Sequence, residues 1–181
     1  MFNNVSEQAV QSYIAACPDK PFADILQQYD IPYMALTVLD RISVIEAIMF
    51  AHYPPIRDII KPYHFIQDSL YIRGIEFPAG TILTSRVHKV QHIGMLIKGS
   101  ALVFTNYEEL HKIEAPTLYH CYPGTKRFIV TLEDAVWCTV HHLAPWQLAL
   151  GLQNIDALED LLTEEDDISW AHEYIKQHKR I

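Results

Sequence analysis

The spacing of apolar residues divides the chain into three stretches. In residues 1–62 the spacing is helical: Leu36, Leu39, Ile42, Ile45, Ile48 and Met49 recur on one face of a helix. Pro54 and Pro55 stop it, leaving a last turn through Ile56, Ile59 and Ile60 near Pro62. Upstream, Ser6 can cap a helix through Ala9, Val10, Tyr13 and Ile14 that Pro18 closes. Pro21 suits the first turn of a short helix through Ile25 and Leu26. Amphipathic faces of this kind are usually core, so these helices are expected to pack on a sheet rather than form a partner surface.

From Tyr63 the period changes. Short apolar runs at 70–75, 81–87, 94–97, 101–105, 112–115, 118–122, 127–132 and 136–141 are separated by Gly, Pro, Asn or acidic pairs. About eight short strands at this spacing predict an antiparallel sandwich or barrel over 63–143. Glu133-Asp134 reads as a hairpin turn joining the last two strands, and Tyr107-Glu108-Glu109 as a loop tip. In 144–181 the helical period returns: Asn154 or Asp156 can start a helix through Leu158, Leu161 and Leu162. Ser169 can cap a final helix through Ile175, with Lys176, Lys179 and Arg180 at its favourable C-terminal end. The acidic run 159–167 reads as a solvated face and connector. The predicted class is α+β, mainly β, with a helical N-terminal extension and C-terminal helices.

Composition narrows the function classes. The 181 residues carry a net charge of -8 with no basic block, which argues against nucleic-acid binding. No apolar run approaches membrane-spanning length, and the opening MFNNVSEQ lacks the basic and apolar regions of a signal peptide, so neither membrane insertion nor secretion is expected. Cys17, Cys121 and Cys138 form no CxxC pair, which suits free thiols in a reducing compartment. GxGxxG, GxxxxGK[ST], GxSxG and HExxH are all missing, and six glycines leave little for a phosphate-cradling loop.

The chemistry concentrates in 78–99. Arg86 and His88 are two apart and share a strand face; His92 follows across a turn through Lys89 to Gln91, sharing its face with Gly94 and Leu96. Neutral imidazole suits zinc, iron, nickel or copper. A metal needs a third ligand, which His141 can supply from a strand expected to hairpin back beside Arg127, or His120 from just before the turn at 123–127. The competing reading is an anion pocket, since Arg86 and Arg127, with Lys126, favour carboxylate or phosphate. The plain alternatives are structural histidine bonds, a surface role for His142, and an Arg127 that pairs with Glu133, Asp134 or Glu114 to pin a turn. His52, His64, His111, His172 and His178 read as ordinary positions, Trp137 and Trp146 as packing, and Cys121 and Cys138 as small buried hydrophobes.

The β-region resembles the cupin superfamily, whose first motif is G(X)5HXH(X)3-4E(X)6G. Gly80 opens it and Gly99 closes it at matching spacing; His88 falls on the second histidine, Arg86 stands at the first, and His92 at the glutamate. In the second motif, G(X)5PXG(X)2H(X)3N, Pro123-Gly124 lies one residue off, Arg127 stands at the histidine and Thr131 at the asparagine. PAGT at 78–81, HKxxH at 88–92, KG at 98–99, EAP at 114–116, PGTKR at 123–127 and LEDxVWxTVH at 132–141 are similar to small cupin proteins of tailed phages and prophages. The resemblance spans 65–142 and implies an antiparallel jelly-roll barrel. It also implies a divalent transition metal (Zn, Fe, Ni or Mn), a homo-oligomer, and a place in host cytoplasm or virion. Three functions follow as expectations: a phage accessory or virion interaction module with a viral or host protein partner; a metal-dependent enzyme on a small polar substrate; and a metal-independent binder of a small anion.

Overall fold

The computed structural model of the protein describes residues 22–53, 60, 62–105 and 110–180. The expected helix over 6–18, the role of Pro21, the turn at 54–59, the loop tip at 107–109 and Cys17 lie outside them.

Helix α1 (Phe22–Leu26) leads through a 3-10 turn at Tyr33–Ala35 to α2 (Val38–His52). Thr37 caps α2, its hydroxyl accepting from the Asp40 N–H at 3.1 Å and satisfying one of the first-turn donors. Ile42, Val44, Ala47, Ile48 and Met49 form the buried face of α2. After the barrel come α3 (Pro145–Gln153), α4 (Ile155–Leu162) and α5 (Ser169–Gln177). Asn154 caps α4 by accepting from the Ala157 N–H, and the Asp167 carboxylate accepts from the Ser169 N–H at the start of α5.

Two antiparallel sheets face each other. One has the order β1 (Tyr63–Gln67), β2 (Leu70–Phe77), β10 (Ala135–His142), β5 (His92–Lys98), β8 (Thr117–Cys121). The other has the order β3 (Ile82–Thr84), β9 (Arg127–Thr131), β6 (Ser100–Thr105), β7 (His111–Glu114). β1–β2 and β6–β7 are hairpins within one sheet, while the connections from β2 to β3, β5 to β6, β7 to β8, β8 to β9 and β9 to β10 cross between sheets, the jelly-roll form of the predicted antiparallel sandwich or barrel. Gly99 makes one such crossing from β5 to β6 with φ +81, and a Cβ there would stand 2.4 Å from the Asp134 carbonyl oxygen, so both backbone and space require glycine. Phe77, Leu83, Leu96, Ala101, Val103, Ile129, Ala135 and Trp137 fill the space between the sheets. Each large side chain among them contributes about 1.5–3 kcal/mol through burial.

Helices α1, α2 and α5 pack together on the outside of the barrel, and α3 and α4 pack apart from them against Tyr71 and Leu143. Ile25, Val44, Ala47 and Ile48 pack with Ile168, Ala171 and Ile175, while Ile42 and Met49 pack on Ile82 and Phe128 of the four-stranded sheet. The N-terminal helices are therefore held by α5, and α2 joins them to the four-stranded sheet.

Several sequence expectations need correction. Glu133-Asp134 is no hairpin turn: β9 and β10 lie in different sheets, and the turn carries the chain across the barrel. Instead Glu133 accepts from the Ser100 hydroxyl and Asp134 from the Ala79 N–H. The run 81–87 breaks at Ser85-Arg86, where the Arg127 N–H donates to the Ser85 hydroxyl, and β4 (Val87–His88) leaves to pair with β11 (Thr163–Glu164). The patterning did not foresee β1 or β11. Nor is 159–167 simply solvated: Glu159 accepts from Arg73 Nε at 2.6 Å and from the Tyr71 hydroxyl at 3.0 Å, and Asp166 accepts from Ser43 and Lys126.

Candidate metal centre

Three histidines from three strands meet inside the barrel. His88, on β4, is fixed by its backbone: its N–H donates to the Thr125 carbonyl at 3.0 Å, and its carbonyl accepts from the Gly124 N–H at 2.7 Å. His92 opens β5 opposite Cys121 of β8. His141 stands near the end of β10, where the register pairs Val140 with Ile93 and brings His141 beside His92. Ring centroids lie 4.1 Å apart for His88 and His92, 4.6 Å for His92 and His141, and 6.4 Å for His88 and His141. One ligating nitrogen from each falls within 4.8 Å of the others.

The electrostatics keep all three rings neutral. Burial, then His92 and Arg127, push His88 down to about 2; burial holds His92 at about 4 against the opposing pull of its Val90 bond; burial and then His92 lower His141 to about 3. His88 Nδ1, His92 Nε2 and His141 Nδ1 are buried without hydrogen-bond partners among the described residues. Unpaired buried polar atoms are costly and uncommon in native proteins. The Nδ1–H of His92 donates to the Val90 carbonyl at 3.2 Å, which leaves its Nε2 as the lone-pair nitrogen. Three neutral imidazoles, each with an unsatisfied nitrogen and gathered within ligating reach of one another, are the donor set a first-row transition metal takes.

Around His141 lies a polar relay that the sequence reading did not single out. Tyr71 pairs with His141 in the β2–β10 register, their rings 5.8 Å apart. The buried Tyr71 hydroxyl contacts His64 Nδ1 at 2.8 Å and donates to Glu159, which also holds Arg73. The available signal was the alternation of Tyr71 and Arg73 along a strand, two polar residues aimed into the barrel.

The remaining candidates sit elsewhere. His120 is on the exposed side of β8, opposite Ile93, with its ring edge-on to Tyr122 at 4.5 Å. Arg86 Nη2 donates to Asp160 at 3.0 Å at the partly exposed margin. Lys126 is 1% exposed and paired with Glu46 and with Asp166 on the helical side of the sheet. Arg127, 4% exposed, points inward: Nη2 donates to Cys121 Sγ at 2.8 Å, and the guanidinium lies 5.3 Å from the Tyr119 ring centroid. It pairs with none of Glu133, Asp134 or Glu114, and no strand hairpin places His141 beside it. Arg127 also walls a cavity of about 180 Å³ with Val103, Thr117, Tyr119, Thr125 and Trp137. Cys121 and Cys138 are buried free thiols; Trp137 is core and Trp146 is exposed.

No family model and no curated protein matches the chain. Solved structures similar to it include an RmlC-like cupin with a double-stranded β-helix fold from Methanocaldococcus jannaschii (15% identity, 50% of this chain and 85% of that one, TM-score 0.41). KdgF from a Halomonas species shows 15% identity over 49% of this chain and 84% of its own, with a TM-score of 0.41. The cupin domain of Schizosaccharomyces pombe Cnp3 shows 14% identity over 49% of this chain and 63% of its own, with a TM-score of 0.40.

Proposed function

We propose that the protein is a metal-binding cupin-type barrel in which His88, His92 and His141 hold one divalent transition metal for work on a small polar molecule. The observation that carries this reading is the meeting of three neutral, buried imidazoles, each with a ring nitrogen left unbonded. A metal bound there would act as a Lewis acid toward a coordinated oxygen. The chain's own contribution is orientation: the Val90 carbonyl sets the His92 tautomer, Thr125 and Gly124 fix His88, and the ring of Tyr71 lies against that of His141. Elemental analysis of untagged protein tests the reading. Close to one Zn, Fe, Ni or Mn per chain, lost in the His88→Ala, His92→Ala double variant, is expected; metal-free protein that takes up none of these ions would contradict it.

A second reading keeps the phage-particle interaction module. What favours it is the outer face of the five-stranded sheet, where Phe65, Ile93, Ile97 and Leu118 are 45–68% exposed. The phage source rests on the sequence motifs alone. The protein should then be present in purified particles, and its absence there would count against this role.

A further inference from the structure

We propose that the cavity beside the histidine centre is a binding site for a small organic carboxylate, gripped by Arg127. The position of Arg127 is unusual for an arginine. It is 4% exposed, and among the described residues no carboxylate lies within ion-pair distance. Charged side chains are almost never this deeply buried unless paired, because desolvation is expensive. The only protein acceptor for its side chain among the described residues is a thiol sulfur, a weak one. Arg127 lines a cavity of about 180 Å³.

The rest of the wall defines the ligand. Tyr119 brings a buried hydroxyl without a regular hydrogen bond, in the neighbourhood of the Trp137 indole. Thr117 and Thr125 line the same space, although both hydroxyls donate to backbone carbonyls and so offer only acceptor and weak polar character. Val103, Ile113 and Trp137 supply apolar wall. One planar guanidinium fork, one phenol and an apolar remainder match a planar carboxylate head on a short carbon chain. A phosphate, with more charge and a tetrahedral head, would leave oxygens against Val103 and Trp137.

The built geometry holds Arg127 in place. Gly94, opposite Tyr119 on β5, has no side chain because the Tyr119 ring occupies that space; a Cβ would lie 2.3 Å from the ring. Tyr119 then presents its face to the guanidinium. The cavity adjoins the histidine centre through Thr125, which bridges to His88, and Cys121, which stands opposite His92 and accepts from Arg127. Three neutral histidines and a guanidinium contribute no negative charge, so a metal here would gain from a carboxylate held between it and Arg127. This last step rests on the metal reading; the carboxylate site itself does not.

The test therefore uses metal-free, chelator-dialysed protein and reads melting temperature against acetate, propionate and succinate. Their neutral amides and inorganic phosphate serve as comparisons. At least one carboxylate should raise the melting temperature in a saturable way, its amide should not, and phosphate should bind at least about tenfold more weakly. Arg127→Lys, which keeps the charge but loses the fork, should weaken the carboxylate about tenfold, and Tyr119→Phe should weaken it less. No shift with any of the three acids, equal shifts with acid and amide, phosphate matching the best carboxylate, or unchanged affinity in Arg127→Lys would each overturn the proposal. The acid–amide comparison needs no variant. A protein that bound carboxylate but never metal would sustain this site and refute the metal centre; one that bound metal but no carboxylate would do the reverse.

Discussion

Lys126 and Arg127 are neighbours in sequence, both almost fully buried, and they lead opposite lives. Strand alternation turns Lys126 to the helical side of the four-stranded sheet, where Glu46 of α2 and Asp166 before α5 both meet it and Ser43 and Thr84 complete the network. Arg127 turns into the barrel and meets a thiol, an aromatic face and a cavity. Nearby, three histidines leave ring nitrogens unbonded. Where the chain satisfies its own buried polar groups, those groups join the helices to the barrel. Where it leaves them open, the proposed metal and carboxylate would supply the partners.

The largest effect expected from this contrast is in pH. The three histidines titrate far below their ordinary value of 6.5 when folded. The unfolded chain binds protons that the folded one refuses, so stability is fully present above about pH 6.5 and falls as pH drops toward 4 and below. Each histidine contributes up to about 1.4 kcal/mol per pH unit in that window, and together on the order of a few kcal/mol. Denaturant unfolding of metal-free protein at pH 7 and pH 5 measures it. His141→Gln should flatten the slope, and an unchanged slope would mean that the ring is not buried as neutral imidazole.

Next in size is the Lys126–Arg127 pair itself. Lys126→Met strands Glu46 and Asp166 and should cost about 3 kcal/mol. Arg127→Met strands no carboxylate among the described residues and should change stability by less than about 1 kcal/mol, through lost aromatic and sulfur contacts offset by relief of burial. Equal losses in the two variants would erase the distinction between the two sides of the sheet. Smaller again is Gly94→Ala, which forces the Tyr119 ring aside and should cost about 1–2 kcal/mol. Its sharper readout is a loss of carboxylate binding with the metal still held.

Much of this architecture was legible in the chain. The strands at 70–77, 92–98, 100–105 and 135–142 follow from turn-bounded apolar runs, and α2 from five apolar positions at helical spacing, Leu39 to Met49. Illegible were the features set by distant partners. A two-residue acidic turn looks the same whether it closes a hairpin or crosses between sheets, so Glu133-Asp134 was misread. β4 pairs with β11 about 75 positions away, and Glu159 meets Tyr71 across a separation of 88, distances at which local pattern carries no information. Within the site, spacing drew attention to His88 and His92, but His141 reaches them through β5 rather than beside Arg127. Arg86 left the group because its strand breaks at Ser85, which turns it to Asp160. That Lys126 meets two carboxylates while Arg127 meets none among the described residues depends on which elements cover each face of the sheet, and no motif records that.

The central claim, that the open nitrogens of His88, His92 and His141 belong to a metal, is tested most directly by titrating metal-free protein with Co(II) and following its visible d–d absorption. The account predicts saturation near one equivalent, with bands of a nitrogen-rich site that vanish in His92→Ala. No visible absorption, or the same spectrum in His92→Ala as in the native protein, would contradict it.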